Sequence, residues 1–270
     1  MSISLNMDRE DNLSKFFQSD GRTVILPIDH GTAIPVPGLE DPTGLIESLN
    51  PVVDGYVVNL GVALSAADAF GDKGLCLRTD CYKPKYNDNL DEGAYRLYGA
   101  DEALTVGANA MMNMLYIHHA NETGIFREAA ELVSESLDTN IPVILETLPF
   151  GIGRPDAYTV ENIGFAARAA AELGADVVKT AFPTGGSVDD FKSIVDATFV
   201  PVIVLGGAAM GDDEALLSMV KKAIDAGAAG IAVGRNVWQH KNPAGIAKAL
   251  SSIVHDDASV ESALSLVNSK

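Results

Sequence analysis

Basic residues are scarce in this chain. Nineteen Lys and Arg stand against 37 Asp and Glu in 270 residues, a formal net charge of −18. Such a balance repels polyanions, so nucleic acid and anionic membrane surfaces are poor partners. A phosphorylated ligand would have to be held by the few basic groups that gather locally. Cysteine is nearly absent as well. Cys76 and Cys81 match no metal-ligand spacing, which leaves free thiols and no disulfide framework or zinc site. No apolar run approaches the ~20 residues of a membrane span. The first ten residues are polar and carry acids, unlike a secretory signal. A cytoplasmic location is the expectation.

Apolar residues make up 47% of the chain, ample for a large core. They cluster in short β-rich runs at 24–28, 55–59, 75–78, 110–116, 142–146, 176–180, 201–205 and 230–233. Each run is close to continuously apolar, as a strand buried on both faces should be. Amphipathic stretches rich in Ala, Leu and Glu separate the later runs, notably 160–173 and 213–226. Both end at a Gly-Ala pair, a helix stop before the next strand. Alternating strands and helices imply a parallel sheet, and eight strands in this length imply a closed (β/α)8 TIM barrel of class α/β. One domain spans 1–270, with an N-terminal extension or helix over 1–20 and a C-terminal helix over 255–270. The polar stretch from Cys81 to Tyr98, with Lys83-Pro84-Lys85, reads as a long loop over the barrel mouth.

Barrels carry their chemistry at the C-terminal ends of the strands. In order, those positions hold Asp29-His30-Gly31, Asn59, Thr79-Asp80, His118-His119, Glu146, Lys179, Gly206-Gly207 and Gly234-Arg235-Asn236. Lys179 closes an apolar run, where a lysine is costly unless paired. An amine attacks a carbonyl only when unprotonated, and removal from water favours that form. Lys179 is therefore a candidate Schiff-base nucleophile. The plainer reading is a lysine that snorkels to solvent or pairs with Asp29 or Glu146. Gly206, Gly207 and Gly234 would let backbone N–H groups approach a phosphate and Arg235 would grip it, where barrels often bind one. The plainer reading is tight turns and a surface arginine. Asp29 and His30 suit proton transfer or hydroxyl binding, or simply a strand-end turn. His118 and His119, adjacent on a strand, would point to opposite faces and rarely reach one ion, so no metal is expected.

These residues carry a resemblance. The stretch from Thr23 to Gly31, the run Leu173 to Thr180 with Lys179, Gly206-Gly207, and the run from Ala226 through Gly234-Arg235-Asn236 to His240 resemble the archaeal-type class I fructose-bisphosphate aldolases. That group also holds deoxyribose-phosphate and tagatose-bisphosphate aldolases, an amino-dideoxy-heptulosonate synthase and a thiolase acting on a phosphorylated autoinducer. The resemblance implies a Schiff base on Lys179, Asp29 and His30 in the site, and a substrate phosphate on Gly206, Gly207, Gly234 and Arg235. It implies a phosphorylated keto-sugar as partner, no cofactor, and a homo-oligomer, often a decamer in that group. Sister activities leave a Schiff-base acyl transferase or transaldolase-like synthase as alternatives, and a non-catalytic phosphate-binding barrel as another. One departure stands out. The relatives carry Tyr-Pro-Arg-Gly after the fifth strand, with the tyrosine as general acid/base. This chain has Leu148-Pro149-Phe150-Gly151. Leucine cannot carry a proton, so Glu146, two residues upstream on the same face, is the first replacement, and Tyr116 at the end of the fourth strand the second.

Overall fold

In the computed structural model, residues 8–34, 36–82 and 94–267 are described. The apolar runs become strands β1 (Thr23–Pro27), β2 (Gly55–Val58), β3 (Gly74–Arg78), β4 (Asp80–Tyr82), β5 (Ala94–Arg96), β6 (Ala110–Ile117), β7 (Val143–Pro149), β8 (Val177–Thr180), β9 (Val202–Leu205) and β10 (Gly230–Ala232). Eight of them close a parallel barrel in the order β1-β2-β3-β6-β7-β8-β9-β10. Helices α1 (Arg9–Leu13), α2 (Pro42–Leu49), α3 (Leu60–Ser65), α4 (Ala100–Thr105), α5 (Glu122–Thr139) and α6 (Val160–Leu173) precede α7 (Val188–Ala197), α8 (Asp213–Asp225), α9 (Arg235–Trp238), α10 (Pro243–Asp256) and α11 (Val260–Val267). None of the described helices is long and apolar enough to cross a membrane.

Helix boundaries follow local chemistry. Thr159 caps α6 by accepting from the Asn162 N–H, and Gly174 ends it in a left-handed conformation (φ 107°) that a side chain would strain. Two expectations change. The stretch after β3 is not simply a loop, because β4 and β5 pair antiparallel there, Asp80 opposite Arg96. Lys83-Pro84-Lys85 lie outside the described residues. Strand β7 also runs three residues past Glu146, to Pro149, because Thr147, Leu148 and Pro149 keep register with β6. Glu146 therefore stands inside the strand. Toward the C-terminus, among the described residues, α10 ends at Asp256 and α11 runs from Val260 to Val267.

The barrel fills in layers. Ile25, Val57, Cys76, Met112, Ile144, Val177, Ile203 and Ala232 meet on the axis. Phe16, which follows α1, closes the bottom of this layer. A Cβ on Gly55 or Gly74, at the starts of β2 and β3, would sit 2.5 Å from the Phe16 ring, so these strands begin with glycine to admit the plug. Arg9 of α1 forks onto Asp176 at 2.5 and 2.6 Å, and Asp176 accepts the Val143 N–H, which ties the N-terminal segment to β7 and β8. A second, larger apolar cluster lies between the strands and the helices.

Candidate active site

Side chains alternate along a strand, so the residue two beyond each axial position faces the axis again, one layer nearer the mouth. From Cys76 that residue is Arg78, from Met112 Met114, from Ile144 Glu146, from Val177 Lys179, and from Ala232 Gly234. A layer of aliphatic packing is thereby followed by a layer of charge.

The charged layer is dry and closely paired. Lys179 Nζ lies 2.9 Å from Glu146 Oε1, and these two residues are direct neighbours in the β7–β8 register. The other oxygen, Oε2, accepts from Arg78 Nη2 at 2.5 Å. Arg78 Nε donates to Asp29 Oδ2 at 2.6 Å, and Nη1 lies 3.4 Å from Asp80 Oδ1. Asp80 Oδ2 accepts the Met114 N–H at 2.7 Å. His30 Nδ1 lies 3.3 Å from Asp29 Oδ1, near enough for charge attraction but out of line for a hydrogen bond, and neither atom has another partner. Asp29, Arg78, Asp80, Glu146 and Lys179, from β3, β4, β7, β8 and the turn after β1, are thus buried together.

Their titration follows from burial set against charge. Burial alone would push the Asp29 carboxyl up; Arg78, with His30, outweighs it and holds Asp29 well below the usual range. Glu146 resists burial in the same way through Lys179 and Arg78, and its pKa is lowered. Asp80 yields to burial: Arg78 and the Met114 N–H do not compensate, and it is pushed up to about 6.

Above this layer opens a cavity of about 480 Å³. Asp29, Glu146 and Lys179 form its floor. Gly206, Gly207, Gly234 and Arg235 stand on one side, with His30 beside them. Ile34, Leu148, Ile152, Tyr82 and Tyr158 make an apolar and aromatic wall. The glycine side is tightly built. A Cβ on Gly234 would strike the Pro27 carbonyl at 2.5 Å, and Gly207 adopts φ 65°. Asn236 pins the loop by donating to the Gly206 and Ala208 carbonyls and accepting the Met210 N–H. Arg235 Nε is buried and has no hydrogen-bond partner. A buried, unmatched guanidinium donor is a place for an anion.

The structure thus brings Lys179, Glu146, Asp29, His30, Gly206, Gly207, Gly234 and Arg235 to one cavity. Tyr116 behaves differently. Its ring is buried, its hydroxyl has no partner, and Gly151 packs over it, so Tyr116 stands behind the lining of the cavity. Burial raises its pKa well above that of an ordinary tyrosine. His118 and His119 lie past the end of β6 and not on the strand, His118 with φ 61°, and the turn sends them apart: His118 stacks on Phe165, and His119 lies against Tyr116. Sequence reasoning gives no role to Arg78, which merely closes the third apolar run. The signal it overlooks is parity, since Arg78 is two residues from Cys76 and must face the axis. Tyr158 is also missed. It lies in an irregular segment, and only the fold brings its hydroxyl to the Gly151 carbonyl at 2.9 Å.

Comparison with known proteins agrees with this geometry. The family model for DeoC/LacD family aldolases matches residues 23–240. A 2-amino-3,7-dideoxy-D-threo-hept-6-ulosonate synthase from Halobacterium salinarum is 33% identical over 248 residues, covering 91% of each chain. A class 1 fructose-bisphosphate aldolase from the same organism is 33% identical over 266 residues, covering 91% of this chain and 95% of its own. Among solved structures, an archaeal fructose-1,6-bisphosphate aldolase with its catalytic lysine covalently bound to a carbinolamine intermediate superposes with a TM-score of 0.82 at 28% identity, covering 92% of this chain and 99% of that one. The chain belongs to the DeoC/LacD family of aldolases.

Proposed function

We propose that this protein is a class I aldolase that makes or breaks a carbon–carbon bond through an iminium on Lys179, acting on a phosphorylated keto-sugar. The observation that carries the reading is the pair Lys179–Glu146, 2.9 Å apart on the floor of a cavity whose side holds Arg235 and three glycines. Neutral Lys179 attacks the substrate carbonyl, and the carbinolamine loses water to give the iminium. Glu146 takes the proton of the hydroxyl on the far carbon of the scissile bond, the carbon that leaves as the aldehyde. That bond breaks, its electrons pass to the iminium, and an aldehyde and an enamine result. Protonation of the enamine and hydrolysis free the ketone and the lysine. The iminium is the electron sink, so the sequence of steps calls on no cofactor. Glu146 does here what a tyrosine two positions on would do, where this chain has Leu148.

Arg235 with Gly206, Gly207 and Gly234 would bind the phosphate, and remote binding energy would then fix the reacting carbon over Lys179. Among the described residues, the facing wall of Ile34, Leu148 and Ile152 offers no cation, which favours a substrate with a single phosphate. Asp29 and His30 are suited to orient hydroxyls or assist protonation. A cytoplasmic location accords with relatives that are metabolic enzymes, such as the class 1 fructose-bisphosphate aldolase. The exposed Phe165, Phe199 and Leu137 fit a homo-oligomer, which light scattering would measure.

The test is borohydride reduction with dihydroxyacetone phosphate, fructose 1-phosphate and fructose 1,6-bisphosphate, followed by peptide mass mapping. An adduct on the Lys179 peptide is expected. An adduct elsewhere, or none with any of the three, overturns the reading. The synthase relative supports a second outcome through the same iminium, transfer to another acceptor instead of simple cleavage; product analysis with aldehyde and thiol acceptors separates the two. A non-catalytic phosphate-binding barrel would have no use for the Lys179–Glu146 pair, and there Lys179→Ala would leave affinity and all function intact.

A further inference from the structure

Arg78 has no counterpart in the scheme above, yet it is among the most deeply buried side chains of the protein, 1% exposed. It does not line the cavity. Asp29 and Glu146 lie between its guanidinium and the substrate space, one on Nε at 2.6 Å and the other on Nη2 at 2.5 Å. The planar fork fixes the two carboxylates relative to each other, across the barrel from β1 to β7. Each is left with its second oxygen, Glu146 Oε1 toward Lys179 and Asp29 Oδ1 toward His30. Arg78 is itself held by Asp80, which the Met114 N–H anchors, and Tyr82 covers it with the ring centroid 4.8 Å from Cζ. An arginine enclosed on every side by acids and an aromatic ring, and aimed at two cavity carboxylates, is more than filler for the barrel.

Resting on the aldolase reading, we propose that Arg78 is the positioning residue of the proton-transfer step: it holds Glu146 and Asp29 in the ionised form and in fixed orientation beside Lys179. A buried carboxylate without such a partner protonates readily and stops acting as a base. Arg78 gives Glu146 a second cation, so that its base form does not depend on Lys179 remaining an ammonium, which it must cease to be when it attacks. The raised pKa of Asp80 fits this arrangement, since the fork serves Asp29 and Glu146 before Asp80. Among the described residues, the other ionisable groups around the layer are His30 beside Asp29, Cys76 one layer below, Tyr82, Tyr116, Tyr158, and Arg235 across the cavity. Burial raises the thiol and the three phenols, so none of these four groups charges in mildly acidic solution.

The experiment uses dihydroxyacetone phosphate as probe and follows deuterium uptake at its hydroxyl-bearing carbon in D2O. Iminium formation followed by removal of that carbon-bound proton reads the base directly. In Arg78→Met, the plateau rate should fall about tenfold or more. The acidic limb of the rate profile should move up by about one pH unit or more. Borohydride trapping at Lys179 on the plateau should stay within about threefold of wild type, because imine formation does not need the fork. Arg78→Lys should restore part of both, since one ammonium supplies charge but cannot hold two carboxylates. An unmoved acidic limb in a folded Arg78→Met overturns the proposal. If that variant does not fold, Arg78→Lys decides alone: a smaller upward shift supports the proposal, and a wild-type limb and rate overturn it. Failure of the wild-type protein to trap or exchange the probe would instead count against the aldolase reading itself.

Discussion

Glu146 is the residue on which the chemistry turns. It touches both Lys179 and Arg78, and both cations outweigh burial to hold it ionised below the ordinary glutamate value of 4.5. A group whose pKa is lowered by folding stabilises the folded state above its unfolded value and ceases to do so as the pH falls through the folded value. The part of the acidic limb that Glu146 sets, read as deuterium exchange from the preformed iminium, should therefore lie below the ordinary glutamate value of 4.5. Glu146→Gln keeps the shape and loses the base. It should lower turnover by about 10²–10⁴-fold while leaving borohydride trapping at Lys179 in place. Equal loss of both would mean that Glu146 supports imine formation and not the step after it. Lys179, Asp29, His30 and the phosphate-side glycines could be named from sequence because each closes an apolar run. Arg78 could not be assigned a role, because its partners sit 49 and 68 residues away in the chain.

Among the elements, β7 shows most clearly how register makes a site. Its seven residues pair with β6 and β8 so that Ile144, Glu146 and Leu148 stack along the axis, apolar, charged, apolar. The sequence pattern shows the strand but not its length, since Thr147 and Pro149 look like the start of a turn. The hairpin of β4 and β5 was equally illegible. Each of its strands is three residues long, and pairing alone gives so short a segment its structure. The α1 segment acts at the opposite end. Phe16→Ala would empty the pocket against Gly55 and Gly74 and should cost about 3–5 kcal/mol, read as a shift of the denaturant midpoint. Because the plug lies at the strand starts, two layers below Lys179, the variant should keep a near-normal turnover at temperatures where it is folded.

At the scale of the molecule, the chain must close on itself. Strand β1 pairs with β10, and α10 returns its last turn to the start of the barrel. There His255 Nδ1 meets Asp20 at 2.8 Å and Nε2 meets Asp54 at 3.0 Å, while Asp54 also accepts the Val24 N–H. The hydrogen bond with Asp54, followed by that with Asp20, outweighs burial and raises the His255 pKa above its ordinary 6.5. A group raised on folding stabilises fully below its unfolded value, and that contribution disappears as the pH rises through the folded value. The melting temperature of the wild type should thus decline, relative to His255→Gln, as the pH rises from about 6 toward 8. A constant difference between the two proteins would show that the charged imidazole contributes nothing to closure.

The sequence by itself determined the number and order of the barrel strands, the helix ends at Gly174 and Gly227, and most of the residues around the cavity. These follow from local rules: burial on both strand faces, capping, and polar residues where apolar runs stop. Only the tertiary structure decided that Arg78 joins Asp29 to Glu146, that Tyr116 stands behind the lining, and that Tyr158 forms part of the wall. Each of those facts depends on how strands distant in sequence are rotated and shifted around a common axis. Hydrogen-bond register across the closed sheet sets that rotation, and no local run of residues encodes it.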